Sequence, residues 1–199
     1  KIQLLDSKEE AGSLIVQRIK PSDDVLLQIH DGKEISSTRP TRVWTEADVT
    51  YKGATIFNNK SGVEVVVPSE SLPANLTFRI GFCTLVSADD VAMFRSTCKI
   101  EQSGTIVSPI VELEGLCLTN RDLRLCDQLT ENIAVKLPHC ATDIYQNRSY
   151  MSVYKLERSG HVSKVPLCSH NTDLSEPHYV VDDDSFITIY TKQFSKLAV

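Results

Sequence analysis

Leu76-Thr-Phe-Arg-Ile-Gly-Phe-Cys83 alternates with period two, setting Leu76, Phe78, Ile80 and Phe82 on one side and Thr77, Arg79 and Gly81 on the other. Successive side chains of a strand point to opposite faces, so the stretch predicts a strand with one core face and one wet face. Its neighbours share the habit. Upstream, Val63-Glu-Val-Val-Val67 ends at Pro68, and a proline at a strand end removes no central ladder bond. Residues 54–57 and 42–44 read as further short strands. Residues 14–19 and 25–29 read as a hairpin across Lys20-Pro-Ser-Asp-Asp24, whose Pro and Asp favour a turn. Downstream come strands at 105–113, 133–137, 150–156, 179–181, 186–190 and 194–199, with Pro109 inside the first predicting an edge position or a bulge. Helix is expected at 87–95 and 121–129. Many short strands between turn signals, with no alternation of strand and helix, predict an all-β fold. It is an antiparallel β-sandwich with short helical turns.

A chain of 199 residues, 41% hydrophobic and 24% charged, with 8 Gly and 8 Pro, has the composition of a globular domain rather than of a low-complexity segment. Its formal charge of −5 supplies no electrostatic footprint for nucleic acid or an anionic bilayer. No apolar run reaches the about 18 residues of a membrane span, so insertion by this segment is not expected. The polar stretch 31–40 sets a domain boundary near residue 47. Residues 1–47 then form an N-terminal extension, an extra hairpin, and residues 48–199 the sandwich.

Reactive chemistry is sparse. There is no Cys-x-x-Cys pair, His-Glu-x-x-His helix, phosphate loop, dinucleotide turn or Gly-x-Ser-x-Gly elbow. His139-Cys140 and Cys168-Ser-His170 hold soft ligands, but a closed zinc site needs four converging groups, and these spacings do not supply them. Asp182-Asp-Asp184 reads as a solvated turn rather than a calcium loop. No metal and no cofactor is expected. The 6 cysteines and the sequons at Asn59, Asn75 and Asn147 would suit an extracellular setting, yet neither fixes the compartment. The one pointed feature is Gln193-Phe194-Ser195. A serine hydroxyl after a strained peptide can attack the preceding carbonyl and give an ester that water cleaves, provided a base stands near. Gln193 neither takes up nor delivers a proton. The candidate bases are His161, His170 and His178, which reach Ser195 only through the fold.

Four segments then carry a family likeness. Residues 51–73, with Tyr51-Lys-Gly-Ala-Thr-Ile-Phe-Asn-Asn and Gly62-Val-Glu-Val-Val-Val-Pro68, resemble the opening of the ZU-five domain of zonula occludens proteins, ankyrins and uncoordinated-five netrin receptors. Thr105-Ile-Val-Ser-Pro-Ile-Val111, Ile133-Ala-Val-Lys-Leu-Pro-His-Cys140 and residues 186–199 are similar to its later strands, in the same order. The likeness spans about residues 48–199. It departs at Glu112-Leu-Glu-Gly115, in an insertion from Cys117 to Asp127, and at Gln193, where self-cleaving relatives tend to carry histidine. The resemblance implies a non-catalytic interaction and scaffolding module of a larger signalling protein of death-domain or netrin-receptor type. Its partners would be other proteins or adjacent domains, and its location cytoplasmic, including the intracellular part of a membrane receptor. The related function-to-find domain implies the alternative, autocatalytic hydrolysis of Phe194–Ser195. A glycosylated extracellular adhesion domain is the second alternative. Surfaces expected to meet partners are the flanks of Trp44, residues 87–95 and the 117–127 insertion.

Overall fold

A computed structural model of the protein describes the backbone of residues 15–20, 28–30 and 33–35, and all of residues 42–101, 104–140, 151–169, 172–182 and 185–199. The strands described are β1 (Ile15–Lys20), β2 (Gln28–His30), β3 (Lys33–Ile35), β4 (Arg42–Val49), β5 (Ala54–Asn58), β6 (Val63–Val67), β7 (Phe78–Leu85), β8 (Ile110–Cys117), β9 (Ile133–Pro138), β10 (Val153–Leu156), β11 (Val162–Val165), β12 (His178–Val181), β13 (Phe186–Thr191) and β14 (Lys196–Ala198). Helix α1 (Ala88–Thr97) follows β7, and a single 3-10 turn (Leu125–Asp127) follows β8. The strands form a seven-stranded sheet in the order β1-β4-β7-β8-β14-β10-β11 and a five-stranded sheet in the order β12-β13-β9-β6-β5, with β2 and β3 paired separately. Every strand ladder is antiparallel. The chain is therefore the all-β antiparallel sandwich that its alternation predicts.

Alternation explains the packing. Phe78, Ile80 and Phe82 of β7 turn inward with Val111 and Leu113 of β8 and Leu197 of β14, against Val63, Val65 and Val67 of β6, Val135 of β9 and Ile189 of β13. Each such side chain stabilises the fold by about 1.5–3 kcal/mol relative to exposure. The outward positions of the seven-stranded sheet build a second layer: Trp44, Cys83, Leu85, Ile110 and Ala198 pack under Phe94 and Cys98 from the α1 region. Trp44 is thus a core residue, as an aromatic on a strand usually is. Helix α1 starts where expected because Ser87 Oγ accepts the Asp90 amide at 3.1 Å and donates to Asp90 Oδ2 at 2.6 Å, while Asp89 and Asp90 meet the positive end of the helix.

Several local expectations change. β1 pairs with β4, Ile15 opposite Ala47 through Lys20 opposite Arg42, and Gln28–His30 pairs with Lys33–Ile35, while residues 21–27 of the expected hairpin lie outside the described residues. β4 itself runs through residue 47 and pairs with β7. Residues 121–129 give one 3-10 turn instead of a helix, because Asn120 Oδ1 accepts the Asp122 amide at 3.0 Å and Cys117 Sγ the Asn120 amide at 3.4 Å. Such local bonds compete with helical ones. β8 is central, between β7 and β14, and Pro109 lies just before it. Proline has no amide to donate there, and the Ser108 hydroxyl accepts the Val199 amide at 3.0 Å. Strand β11 was not anticipated.

Gly115 and the insertion are linked. A Cβ on Gly115 would lie 2.3 Å from Leu125 Cδ2, so the bare backbone leaves the notch that Leu125 fills. Leu125 and Leu129 join the main core. The insertion expected to be a display loop is partly a plug. Gly53 is another such position, with φ of +72° and the Val67 carbonyl 2.4 Å from where its Cβ would stand.

Candidate functional site

The chain crosses from the five-stranded to the seven-stranded sheet between β13 and β14, and the four residues of this crossing, Lys192 to Ser195, hold the candidate bond. Thr191, fully buried, accepts the Gln193 amide on Oγ1 at 3.0 Å. Lys192 Nζ donates to the Thr130 carbonyl at 2.8 Å. Gln193 Oε1 accepts from Lys155 Nζ, and the same ammonium sits 3.1 Å from Glu157 Oε1. Lys155 belongs to β10 opposite Leu197, so its stem lies on the core side and its charge is met only at the sheet end. The hydrogen bond from Lys155 holds the Glu157 carboxyl below the usual carboxylate range. Gln193 thus serves a clasp on the crossing rather than proton transfer.

Phe194 is half-buried and packs on the main core. Ser195 is 3% exposed, and its carbonyl accepts the Leu113 amide at 3.1 Å. Its hydroxyl oxygen has no hydrogen-bond partner among the described residues. Glu70 and Lys99 are the non-glycine residues of positive φ among those described, so the crossing carries no left-handed residue.

Neither of the two described candidate bases, His161 and His178, is brought to the serine. His178 is 4% exposed on β12, with Nδ1 2.9 Å from the Glu176 carbonyl and its ring stacked on Tyr190 at 4.8 Å between centroids. Its partner Tyr190 alternates with the inward Ile189, so His178 lies on the outer face of its sheet, away from the core side that Ser195 shares with Leu197. His161 is exposed in the β10–β11 turn. His170 lies outside the described residues.

A cleft of about 330 Å³ opens beside the crossing, with Glu112, Glu157, Arg158, Ser195 and Lys196 among its walls. Its charges are mutually engaged. Glu112 Oε2 is 2.8 Å from Arg42 and 4.0 Å from Lys196, Arg158 is 3.0 Å from Glu114, and Glu157 holds Lys155. Burial, and then Glu112, push the Cys83 thiol up to about 12, and burial pushes Cys98 up to about 11, so neither is a nucleophile at neutral pH. All six thiols are free, and Cys83, Cys98 and Cys117 are buried.

The other sequence candidates fall apart from this place. Both His139 ring nitrogens are buried without a partner and Cys140 is exposed. No group of three or more metal-ligating side chains converges among the described residues. Asp182 closes the β12–β13 turn, its amide donating to the Phe186 carbonyl at 3.1 Å and its carboxylate accepting from Thr188 at 2.5 Å. Asp183 and Asp184 lie outside the described residues, as does Asn147. Asn59 and Asn75 are exposed. No described helix is long and apolar enough to cross a membrane. The clasp of Lys155, Glu157 and Gln193 was missed in the sequence, and its one local signal was a lysine at an inward position of an alternating strand.

No curated protein gave a match to the chain. The sequence pattern of the ZU5 domain matches residues 45–157, from within β4 to the end of β10, more than half of the 199 residues. This match places the chain in the ZU5 domain family, a family of protein-interaction modules.

Proposed function

We propose that the chain is a non-catalytic interaction and scaffolding module within a larger signalling protein of the death-domain or netrin-receptor type, acting in the cytoplasm on adjacent domains or separate proteins. In this reading residues 48–199 are the module, and residues 1–47 an extension that lends β1 and most of β4 to its seven-stranded sheet. The observation that carries it is the pairing of Glu112, Glu157 and Arg158 with cations or carboxylates of the same chain, which leaves the cleft without a free charge to act on a substrate. Three buried free thiols suit a reducing compartment. The test is hydrogen exchange of the isolated module against the full-length protein. Slower exchange at surface amides of the sandwich is expected in the longer chain, and identical exchange at all of them refutes the reading.

A second reading, one self-cleavage between Phe194 and Ser195, draws on the buried Ser195 hydroxyl that no neighbour engages. In it Ser195 Oγ bonds to the Phe194 carbonyl carbon as the C–N bond breaks and the amine takes the proton. Water then hydrolyses the ester to a carboxylate at Phe194 and a free serine amine. A denaturing gel of a longer chain decides it. Two bands that merge in Ser195→Ala support cleavage, and a single band refutes it.

A further inference from the structure

The two large sheets end in β1, β11, β12 and β5, and an edge strand offers its outer amides and carbonyls to any chain that fits unless the edge is guarded. Three of the four are. Beyond β12 the Cys168 amide donates to the Tyr179 carbonyl at 2.8 Å and the Tyr179 amide to the Pro166 carbonyl at 2.9 Å, so residues 166–168 close that edge. β11 carries Lys164 in mid-strand, and β1 carries Arg18 and Lys20. β5 has none of these devices. Ala54-Thr-Ile-Phe-Asn58 holds no charge and no proline, and its ladder to β6 runs without a bulge from Ala54 opposite Val67 to Asn58 opposite Val63. Among the described residues no strand pairs with its outer side. Thr55 and Phe57 are exposed, Phe57 at 46%.

Charge at the ends of β5 decides what fits there. Asn58 Oδ1 accepts the Lys60 amide at 2.9 Å and the Ser61 amide at 3.1 Å, which fixes the exposed Lys60 just past the C-terminal end of the strand. Among the described residues no ion pair engages it. At the other end the exposed Lys52 has an acid for company, since the Glu70 amide donates to the Tyr51 carbonyl, and Glu64 stands opposite Phe57 behind the middle of the strand. Two copies paired edge to edge about Ile56 would set Lys60 of each beside Lys52 of the other, a repulsion at both ends. A carboxylate opposite Lys60 meets attraction instead. We propose that the outer edge of β5 takes an extended peptide as one more antiparallel strand, with β-branched side chains beside Phe57 and an acidic N-terminal end at Lys60. The antiparallel sense matches every ladder already in the sheet and is what brings the peptide's N-terminal end to Lys60. About 17 Å of edge makes the contact a weak, transient one. Edge pairing of this kind deepens the interaction-module reading, on which it rests, and the two fail separately, because amides elsewhere on the sandwich could slow in the longer chain while β5 takes no peptide.

The probe is a capped synthetic peptide of alternating valine and threonine with a pair of glutamates at its N-terminal end, titrated at low salt into the isotope-labelled chain while amide resonances are followed. Saturable shifts are expected at residues 54–58. Lys60→Glu, checked for folding by circular dichroism, should weaken binding about fivefold or more, because an attraction becomes a repulsion. The same variant should prefer a peptide with lysines in place of the glutamates, which recovers the contact. A peptide N-methylated along its length should not bind, since it has no amide to donate. Shifts that miss β5, equal binding of acidic and basic peptides by the unaltered chain, or undiminished binding of the N-methylated peptide each overturn the proposal. So does a chain whose mass doubles in sedimentation without peptide, which would assign the edge to a second copy.

Discussion

Truncating Leu125 and filling Gly115 should each destabilise the domain, and making both changes together should cost less than their sum. Leu125 is 3% exposed, with Cδ2 2.3 Å from where a Gly115 Cβ would stand. Leu125→Ala removes three buried carbons and leaves a cavity under the 3-10 turn, costing about 3 kcal/mol within the usual range of 2–5. Gly115→Ala forces that methyl into Leu125, an overpacking of about 2 kcal/mol. The backbone itself adds no penalty, since Gly115 is not among the positive-φ glycines. Independent sites would sum to about 5 kcal/mol. With both changes the alanine methyl at 115 occupies part of the space Leu125 vacates, so the 2.3 Å clash with Cδ2 is removed, the residue's Cβ stays close at 3.2 Å, and the cavity shrinks. The double variant should then lie about 2 kcal/mol or more above the additive value. Urea unfolding followed by fluorescence of Trp44 measures all four proteins, with an unchanged m-value as the condition for comparing midpoints. Additivity within about 0.5 kcal/mol would refute the account of the insertion as a plug seated in the Gly115 notch.

Ser195→Ala should be neutral or stabilise the fold by up to about 1 kcal/mol, because the hydroxyl it removes is buried without a partner. A loss above that in thermal unfolding would mean the hydroxyl is engaged. Ser87→Ala should cost about 1 kcal/mol through the lost cap on α1, read as a fall in the urea midpoint. The depressed Glu157 carboxyl binds its proton more weakly folded than unfolded. Its contribution is therefore complete above the unfolded glutamate value of about 4.3 and is lost as pH falls through the lower folded value. Lys155→Met should flatten that acid limb in a series of unfolding midpoints, and an unchanged slope would refute the pairing. If the extracellular alternative held, protein from a secreting host would carry glycan at exposed Asn59 and Asn75. The cytoplasmic reading expects the unmodified mass and six free thiols.

The alternation of β6 and β9 was legible because each of these strands has one wetter face, so its inward set announces itself in steps of two, and on β7 and β13 the inward apolar residues still recur in twos although Cys83, Leu85 and Thr188 of their outer faces are buried. β8 was displaced because Ile110 and Val111 face opposite apolar layers, one under α1 and one between the sheets, which hides the period. The pairing of β1 with β4 was not legible, since the residues of a strand do not say which partner each of its two edges takes. At the candidate site the sequence supplied the nucleophile and its odd neighbour, Gln193. The clasp spans 38 positions and ties β10 to the crossing between the sheets, so no local pattern carries it.

Periodicity also distinguishes inner from outer faces without saying which outer faces are covered. On the seven-stranded sheet the outward Trp44, Cys83, Leu85 and Ile110 are apolar because α1 lies over them, and Phe94 completes the layer. The outward Phe57, Val66, Ala134 and Phe186 of the five-stranded sheet are comparably apolar, yet no residue of that face joins an apolar cluster. Of that side Phe57 stands 46% exposed while Thr188 and His178 are buried, and an exposed apolar side chain on an edge strand is an aggregation liability unless charge interrupts the strand. Here the interruption is a single acid and a single base set opposite each other on the two central strands. That arrangement keeps the two central strands neutral, so charge interrupts the apolar row without leaving a net field on the face.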